Sequence, residues 1–543
     1  MNKDCNIYYS LLILFTMKKY ITITIVFLFL TNFISAQKIE IKPYLQDATP
    51  NSIKIMWQTD SNEESIVHWG ISKKLGKKTK GSAFDINFTE KRVHEVSLTG
   101  LKRFTTYYYK VQTGKAVSEV YQFKTPPFEN SSKKINLVAM SDMQNDWQHP
   151  TKFKEIVEDG ILTYFNQKFK GDISENLAMV VIPGDLVQSG TEFPQWEEHF
   201  FNQSEKLFSK VPVYPVPGNH ERNSDYFFKY FSLPKNGSPE YAEHWWYKDY
   251  ANTRVIGLDS NNGYRDIKQQ LVWLKELLEK TANNDEIDFV FAQLHHPYKS
   301  ELWIPGEEDF TGKVVKLLEN FTNTTNKPSL HFFGHTHGYS RGQSKEHKHL
   351  WVNVASAGGA IDNWGEFEGR DYDEFTVTQD EYGFVLATID PSKENPSFTL
   401  KRISRGNNIK FRNNEVTDSI TLYKKTIQPK TPTLLGLNET TKTLYKLQLK
   451  ADEFKSEKNK AFHAASNWQI AKTEDFSKMV YDSWKQHENW YYKENRQKDD
   501  DLTDEEVDRK LEVNTTYYVR VRYRDQYLNW SNWSETKSFK TIE

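Results

Sequence analysis

From residue 134 onward, short apolar runs recur and each ends in polar residues. Residues 135–140, 179–182, 211–214, 254–258, 289–292 and 330–333 are nearly continuous runs of Val, Ile, Leu, Phe and Ala. They are too short for core helices and lack the alternation of half-exposed strands. They read as strands buried on both faces. Helical patterns lie between them at 153–169, 196–208, 267–278 and 310–321. Strand–helix alternation of this kind predicts an α/β layered domain, and the pattern runs to about Ile403.

The polar residues that close these runs form five motifs in chain order. They are Asp142-Met143-Gln144, Gly184-Asp185, Gly218-Asn219-His220-Glu221, His295-His296-Pro297 and Gly334-His335-Thr336-His337. Taken singly, Gly-Asp is an ordinary turn, Gly-Asn-His a helix cap or loop, and His-Pro a rigid bend. Taken together, every one caps an apolar strand, where open α/β sheets gather their ligands. Carboxylate, amide and imidazole donors without sulfur suit hard or borderline divalent ions. A carboxylate such as Asp185 can bridge two ions, and a pair of ions can clamp both oxygens of an in-line phosphoryl displacement. The only cysteine, Cys5, lies in the N-terminal leader, so neither disulfides nor thiol ligands enter the account.

The flanks are different in texture. Residues 37–127 alternate with a period of two, as in Val93-His94-Glu95-Val96-Ser97-Leu98 and along Thr105, Tyr107, Tyr109 and Val111. Turn residues separate these runs, which predicts a β-sandwich closed by Thr125-Pro126-Pro127. Residues 404–429 are polar and read as a connector. Residues 430–543 are β-patterned again, interrupted by a charged stretch at 488–510 that reads as a solvated loop or short helix. Hydrophobic residues make up only 37% of the 543, but aromatics reach 14% and bury large areas, so real cores can form. The net charge of −2 gives no basic field that would argue for nucleic acid.

Residues 135–403 resemble a calcineurin-like metallophosphoesterase, on the five motifs, Leu258-Asp259-Ser260 and Gly358-Gly359. With the preceding sandwich, whose Leu98-Thr99-Gly100-Leu101 and Thr106 to Val111 resemble fibronectin type III, the arrangement is similar to the purple acid phosphatase family. The resemblance implies a multidomain protein. Its central α/β layered metallophosphoesterase domain (134–403) would be a β-sandwich core flanked by helices, with all-β fibronectin III-like sandwiches at 37–127 and 430–543. It implies two divalent ions, Mn, Fe, Zn or Ni. Asp142, Gln144, Asp185 and His337 would hold the first. Asp185 would bridge to the second, completed by Asn219, His295 and His335. His220 would be the catalytic acid, with Glu221 behind it as its orienting partner. Phosphate monoesters or diesters would be hydrolysed by metal-bound hydroxide, the substrate being a phosphorylated small molecule or glycan. Two departures stand out. The family's tyrosine, three residues after the second aspartate, is Gln188 here, and many relatives carry histidine where this chain has Gln144.

Other features carry two readings each. Arg341 would contact substrate phosphate or pair with a nearby carboxylate. Trp245-Trp246 would wall the substrate or sit buried in a strand pair. Trp364, Glu366 and Glu368 lie in an aromatic, polar loop. Arg520, Arg522 and Arg524 share one strand face and would stack on the tryptophans of Trp530-Ser531-Asn532-Trp533-Ser534. Residues 1–36 read as a signal peptide with its true start at Met17 and cleavage after Ala36, giving an exported, periplasmic or extracellular protein without a membrane anchor. The contrasting function is a non-catalytic surface or glycan-binding protein that uses the central fold as a scaffold.

Overall fold

The computed structural model describes residues 38–542, apart from 129–130, 262, 264–266, 368–369, 442–445, 458–459 and 492–493. The leader and Glu368 lie outside the described residues.

In the central domain the apolar runs become strands of two sheets. A six-stranded sheet runs Val213–Val216, Met179–Pro183, Ile135–Ala139, Tyr382–Asp390, Ser397–Gly406, Phe411–Tyr423. A seven-stranded sheet runs Trp246–Tyr250, Thr253–Gly257, Phe289–Gln293, Ser329–Phe333, His349–Asn353, Tyr339–Gln343, Phe375–Gln379. Leu137, Val181 and Val385 of the first and Phe291, Phe332 and Val352 of the second share one buried core. That is why their strands carry apolar residues continuously: one face meets the other sheet, the other meets helices. Helical segments cover 152–168 and 193–208, with Ile267–Ala282 and Asp309–Thr325 beside the second sheet. The 411–423 segment corrects the expected connector. It pairs antiparallel with Ser397–Gly406 along its length. Its outer positions face solvent and only Ile420 and Leu422 are buried, so an edge strand passes for a polar linker.

The N-terminal domain is two packed sheets closed over Trp57, Val67, Tyr109, Val111 and Phe123. Trp57 is wholly buried and its Nε1 donates to Thr113 Oγ1 at 2.9 Å. Burying roughly 200 Å² of such a side chain is worth about 5 kcal/mol at ~25 cal/mol per Å². The domain is fixed to the centre through side chains whose apolar bodies pack while their tips bond. Tyr44 Oη donates to Tyr230 O at 2.7 Å, and Tyr109 Oη to Ser209 O at 2.6 Å.

The C-terminal domain is also β. Its longest sheet includes His463–Ala471, Met479–Gln486 and Thr516–Asp525. The charged stretch contributes Trp490–Tyr491, Glu494–Asn495 and the strand Asp504–Val507 instead of a helix. The Arg–Trp stack forms: Arg520 lies 4.2 Å from Trp533, Arg522 lies 4.4 Å from Trp530 and 4.3 Å from Trp533, and Arg524 lies 5.1 Å from Trp530. Its inner end docks the domain on the centre. Arg524, fully buried, donates to Ser344 O and His347 O at 3.0 Å each, and Trp530 Nε1 to Lys345 O at 2.6 Å.

Candidate metal centre

Five parallel or adjacent strand ends deliver the polar groups. The chain leaves each strand through a turn that brings the ligand back over the sheet edge. Asp142, Asp185 and His335 accordingly hold positive φ of 59°, 54° and 71°. A non-glycine residue there costs about 1–2 kcal/mol, a strain characteristic of functional sites. The neighbouring loops offer no room for a side chain. A Cβ at Gly218 would stand 2.1 Å from Asp185 Oδ1, and one at Gly334 would stand 2.4 Å from Asp142 Oδ2.

The side chains converge. His295 Nε2 lies 3.2 Å from Asp185 Oδ2, 2.8 Å from Asn219 Oδ1 and 3.1 Å from His335 Nδ1. His337 Nε2 lies 3.3 Å from Asp142 Oδ1. Asp142, Asp185 and His295 present ligand atoms within 4.8 Å of one another. Gln144 joins the group through Nε2, which donates to Asp185 Oδ2 at 2.7 Å, while its buried Oε1 has no hydrogen-bond partner. The other ring nitrogens fix which way the lone pairs point. His295 Nδ1 lies 2.9 Å from Pro183 O and His337 Nδ1 lies 2.6 Å from Ala360 O. A carbonyl only accepts, so each Nδ1 carries hydrogen. In the neutral ring each Nε2 then turns a lone pair inward.

The electrostatics call for cations. Asp142 and Asp185 are buried, and no lysine or arginine among the described residues pairs with either. Burial alone would raise the Asp185 carboxyl, but His295 and His220 hold it below the usual carboxylate range. Burial disfavours charge on His295, yet the neighbouring Asp185 outweighs it and pushes the imidazole up to about 9. Asp142 does the same to His337, also to about 9. Desolvation of the half-buried His335, which faces His295 and His296, holds its imidazole down to about 3. Two buried carboxylates that only imidazoles neutralise among the described residues, imidazoles whose Nε2 atoms turn lone pairs inward once a cation displaces their protons, and an orphaned Gln144 oxygen fit a divalent-ion site.

His220 is half-buried at the rim. Its Nδ1 lies 2.6 Å from Gln188 O, and its Nε2 lies 3.8 Å from Asp185 Oδ2. Two expectations are corrected here. Glu221 does not orient His220. Its carboxylate is fully buried and accepts the backbone N–H groups of Asp185, Leu186 and Gly218 at 2.9, 2.8 and 2.6 Å. It ties the second motif to the third because three loop N–H groups there lack any other acceptor. Burial, reinforced by Asp185, raises its carboxyl to about 8. Arg341 does not face the centre either. It is buried in a two-carboxylate clamp, with Nε 2.6 Å from Asp418 Oδ2 and Nη2 3.1 Å from Glu488 Oε1. Trp245 and Trp246 are wholly buried, and Trp364 is buried against Leu302.

Asp362 lies outside every motif, and His296 and Ser260 lie within quoted motifs that assign them no role. His337 N donates to Asp362 Oδ2 at 2.7 Å. The ring of His296 stands 4.5 Å from that of His335, and burial with His295's charge holds its imidazole down to about 3. Its place in the fourth motif was the one available signal.

Residues 40–125 match the purple acid phosphatase N-terminal domain, and residues 135–339 match the calcineurin-like phosphoesterase. The central unit is a calcineurin-like phosphoesterase domain. Ahead of it stands a domain of purple acid phosphatase type. The chain is 23% identical over 276 residues to purple acid phosphatase 15 of Arabidopsis thaliana, covering 47% of the chain and 50% of that protein. It is 24% identical to the probable inactive purple acid phosphatase 1 of the same plant, covering 66% and 65%. The chain thus spans between half and two thirds of the length of these relatives. Among solved structures, the yellow lupin (Lupinus luteus) seed purple acid phosphatase PPD1 superposes with a TM-score of 0.54 at 18% identity, covering 70% of this chain and 73% of that one. That likeness concerns the fold alone.

Proposed function

We propose that the protein is an exported binuclear-metal phosphoesterase that hydrolyses phosphate monoesters or diesters. The observation that carries the reading is the convergence of Asn219, His295, His335 and His337 on the buried carboxylates of Asp142 and Asp185, with which no lysine or arginine among the described residues pairs. Asp142, Gln144, Asp185 and His337 would hold one ion, and Asp185, Asn219, His295 and His335 the other. When bound, such ions supply Lewis acidity at phosphorus and a water made acidic enough to attack.

The chain's own contribution is positional. Pro183 O and Ala360 O keep the ligand tautomers, and Glu221 keeps two ligand loops in register. Gln188 O holds Nδ1–H of His220, so that Nε2 delivers a proton to the leaving oxygen when the ring is charged. Position 188 supplies a carbonyl where the family's tyrosine would supply a phenolate. The side chain of Gln188 is exposed, so the site has no phenolate ligand at that position and no phenolate colour is expected. The choice among Mn, Fe, Zn and Ni follows loading, and phosphorylated small molecules or glycans are the substrate class. Export rests on the leader sequence, and no described helix is long and apolar enough to cross a membrane.

The test is metal-dependent hydrolysis of an aryl phosphate monoester and a bis-aryl diester. The alternative of a non-catalytic scaffold predicts neither turnover nor a response to chelation, and an intact ligand set with His220 in place argues against it.

A further inference from the structure

His295 and His296 are adjacent in the chain, their rings lie 4.9 Å apart, and a ring nitrogen of each comes within 4.8 Å of one on His335. By proximity alone His296 would count as a third imidazole ligand. Its hydrogen bonding says otherwise. Ser260 Oγ accepts the backbone N–H of His295 at 3.2 Å and that of His296 at 3.0 Å. A hydroxyl has two acceptor positions and one hydrogen, so its hydrogen is left for the remaining neighbour, His296 Nδ1 at 2.9 Å. His296 Nδ1 is therefore an acceptor, and the neutral ring carries its hydrogen on Nε2. This is the opposite tautomer to that of His295 and His337, whose Nδ1 groups face carbonyls. A ring with hydrogen on Nε2 offers no lone pair there. It offers a donor, and no described protein group accepts from it.

We propose that His296 is a substrate-positioning residue, with Nε2–H donating to a phosphoryl oxygen held at the metal centre and Ser260 fixing the tautomer that makes this possible. The inference rests on the phosphoesterase reading. Its chemical logic is that an oxyanion held at the centre needs hydrogen-bond donors aimed at it. The candidate arginine, Arg341, is spent on Asp418 and Glu488, and His220 is a further imidazole at the rim without a ligand role. The ligand class is a tetrahedral phosphate oxyanion.

The test uses the full, metal-loaded protein with inorganic phosphate as probe, followed by calorimetry, alongside metal content and steady-state kinetics. His296→Phe keeps an aromatic ring against His335 and removes the donor. It should weaken phosphate binding and raise KM by about 10- to 100-fold, the range for a hydrogen bond to a charged group, with both metals retained. His296→Gln keeps an N–H near the Nε2 position and should recover to within about 5-fold of wild type. Selective ¹⁵N labelling of the wild type should show His296 with hydrogen on Nε2 and not on Nδ1, a readout that needs no variant to fold. Loss of metal in His296→Phe would make it a ligand and overturn the proposal. So would unchanged phosphate binding in that variant, or hydrogen on Nδ1 in the wild type. If the wild type itself holds no metal and hydrolyses nothing, the phosphoesterase reading fails; if it holds metal and hydrolyses the ester while His296→Phe changes neither phosphate binding nor KM, the inference about His296 fails alone.

Discussion

The backbone carbonyl of Gln188 lies 2.6 Å from Nδ1 of His220, and this contact sets the direction of the proposed acid. Because the contact is through the main chain, the residue type at 188 matters little to it. Gln188→Ala should keep kcat within about twofold. His220→Ala should lower kcat by roughly 10²- to 10⁴-fold, the span of general acid catalysis, while metal content holds. Parallel kinetics and elemental analysis check both.

Glu221 answers three buried N–H groups at once. Glu221→Ala strands all three, at about 1–3 kcal/mol for each unsatisfied group. Urea unfolding should show a loss of about 3 kcal/mol or more, with weakened metal retention because the Asp185 and Asn219 loops lose their tie. Glu221→Gln, which keeps one acceptor oxygen, should lose less.

Gly218→Ala tests the packing of Asp185, the proposed bridging carboxylate. The added Cβ would meet Asp185 Oδ1 at 2.1 Å and Asp185 N at 2.5 Å, both inside van der Waals contact. Either Asp185 or the third motif must move. Metal content should fall well below wild type, read on the purified variant, although the surface and the net charge are unchanged.

Arg524 is the inner anchor of the C-terminal domain, and burial holds its guanidinium down to about 9. Arg524→Met strands Ser344 O and His347 O, at a cost of about 2 kcal/mol or more. Limited proteolysis should release the C-terminal domain sooner. Turnover of a small aryl phosphate should stay near wild type, since every proposed metal ligand lies in the central domain.

Glu301 gives a pH signature. It is buried, accepting from Tyr372 N at 2.9 Å and Thr378 Oγ1 at 2.8 Å, and burial raises its carboxyl to about 8. Its folded value lies above its unfolded one. Its contribution is therefore fully present below about pH 4.5 and is lost as pH rises through about 8, with a slope of up to about 1.4 kcal/mol per pH unit. Glu301→Gln should flatten the fall in stability between pH 5 and pH 8, measured by denaturant titration at several pH values.

The strand ends could be read in the sequence because buried parallel strands must be apolar throughout, so Asp142, Asp185, Asn219, His295 and His335 stood out where each run stopped. The direction of a side chain was harder to read. Arg341 follows the last motif, but its strand turns it toward Asp418 and Glu488. Glu221 looked like a partner for its neighbour His220, whereas its acceptors serve backbone groups at positions 185, 186 and 218 that no pattern of residue types reveals. The 411–423 strand was hidden by its solvent-facing edge position.

The most direct test of the central claim is the metal content of the purified protein, with aryl phosphate hydrolysis before and after chelation and metal return. The account predicts about two divalent ions per chain, hydrolysis that is lost on chelation and restored on reloading, and an Asp185→Asn variant deficient in both. A metal-free protein whose stability ignores chelators and which hydrolyses no phosphate ester under Mn, Fe, Zn or Ni would contradict it.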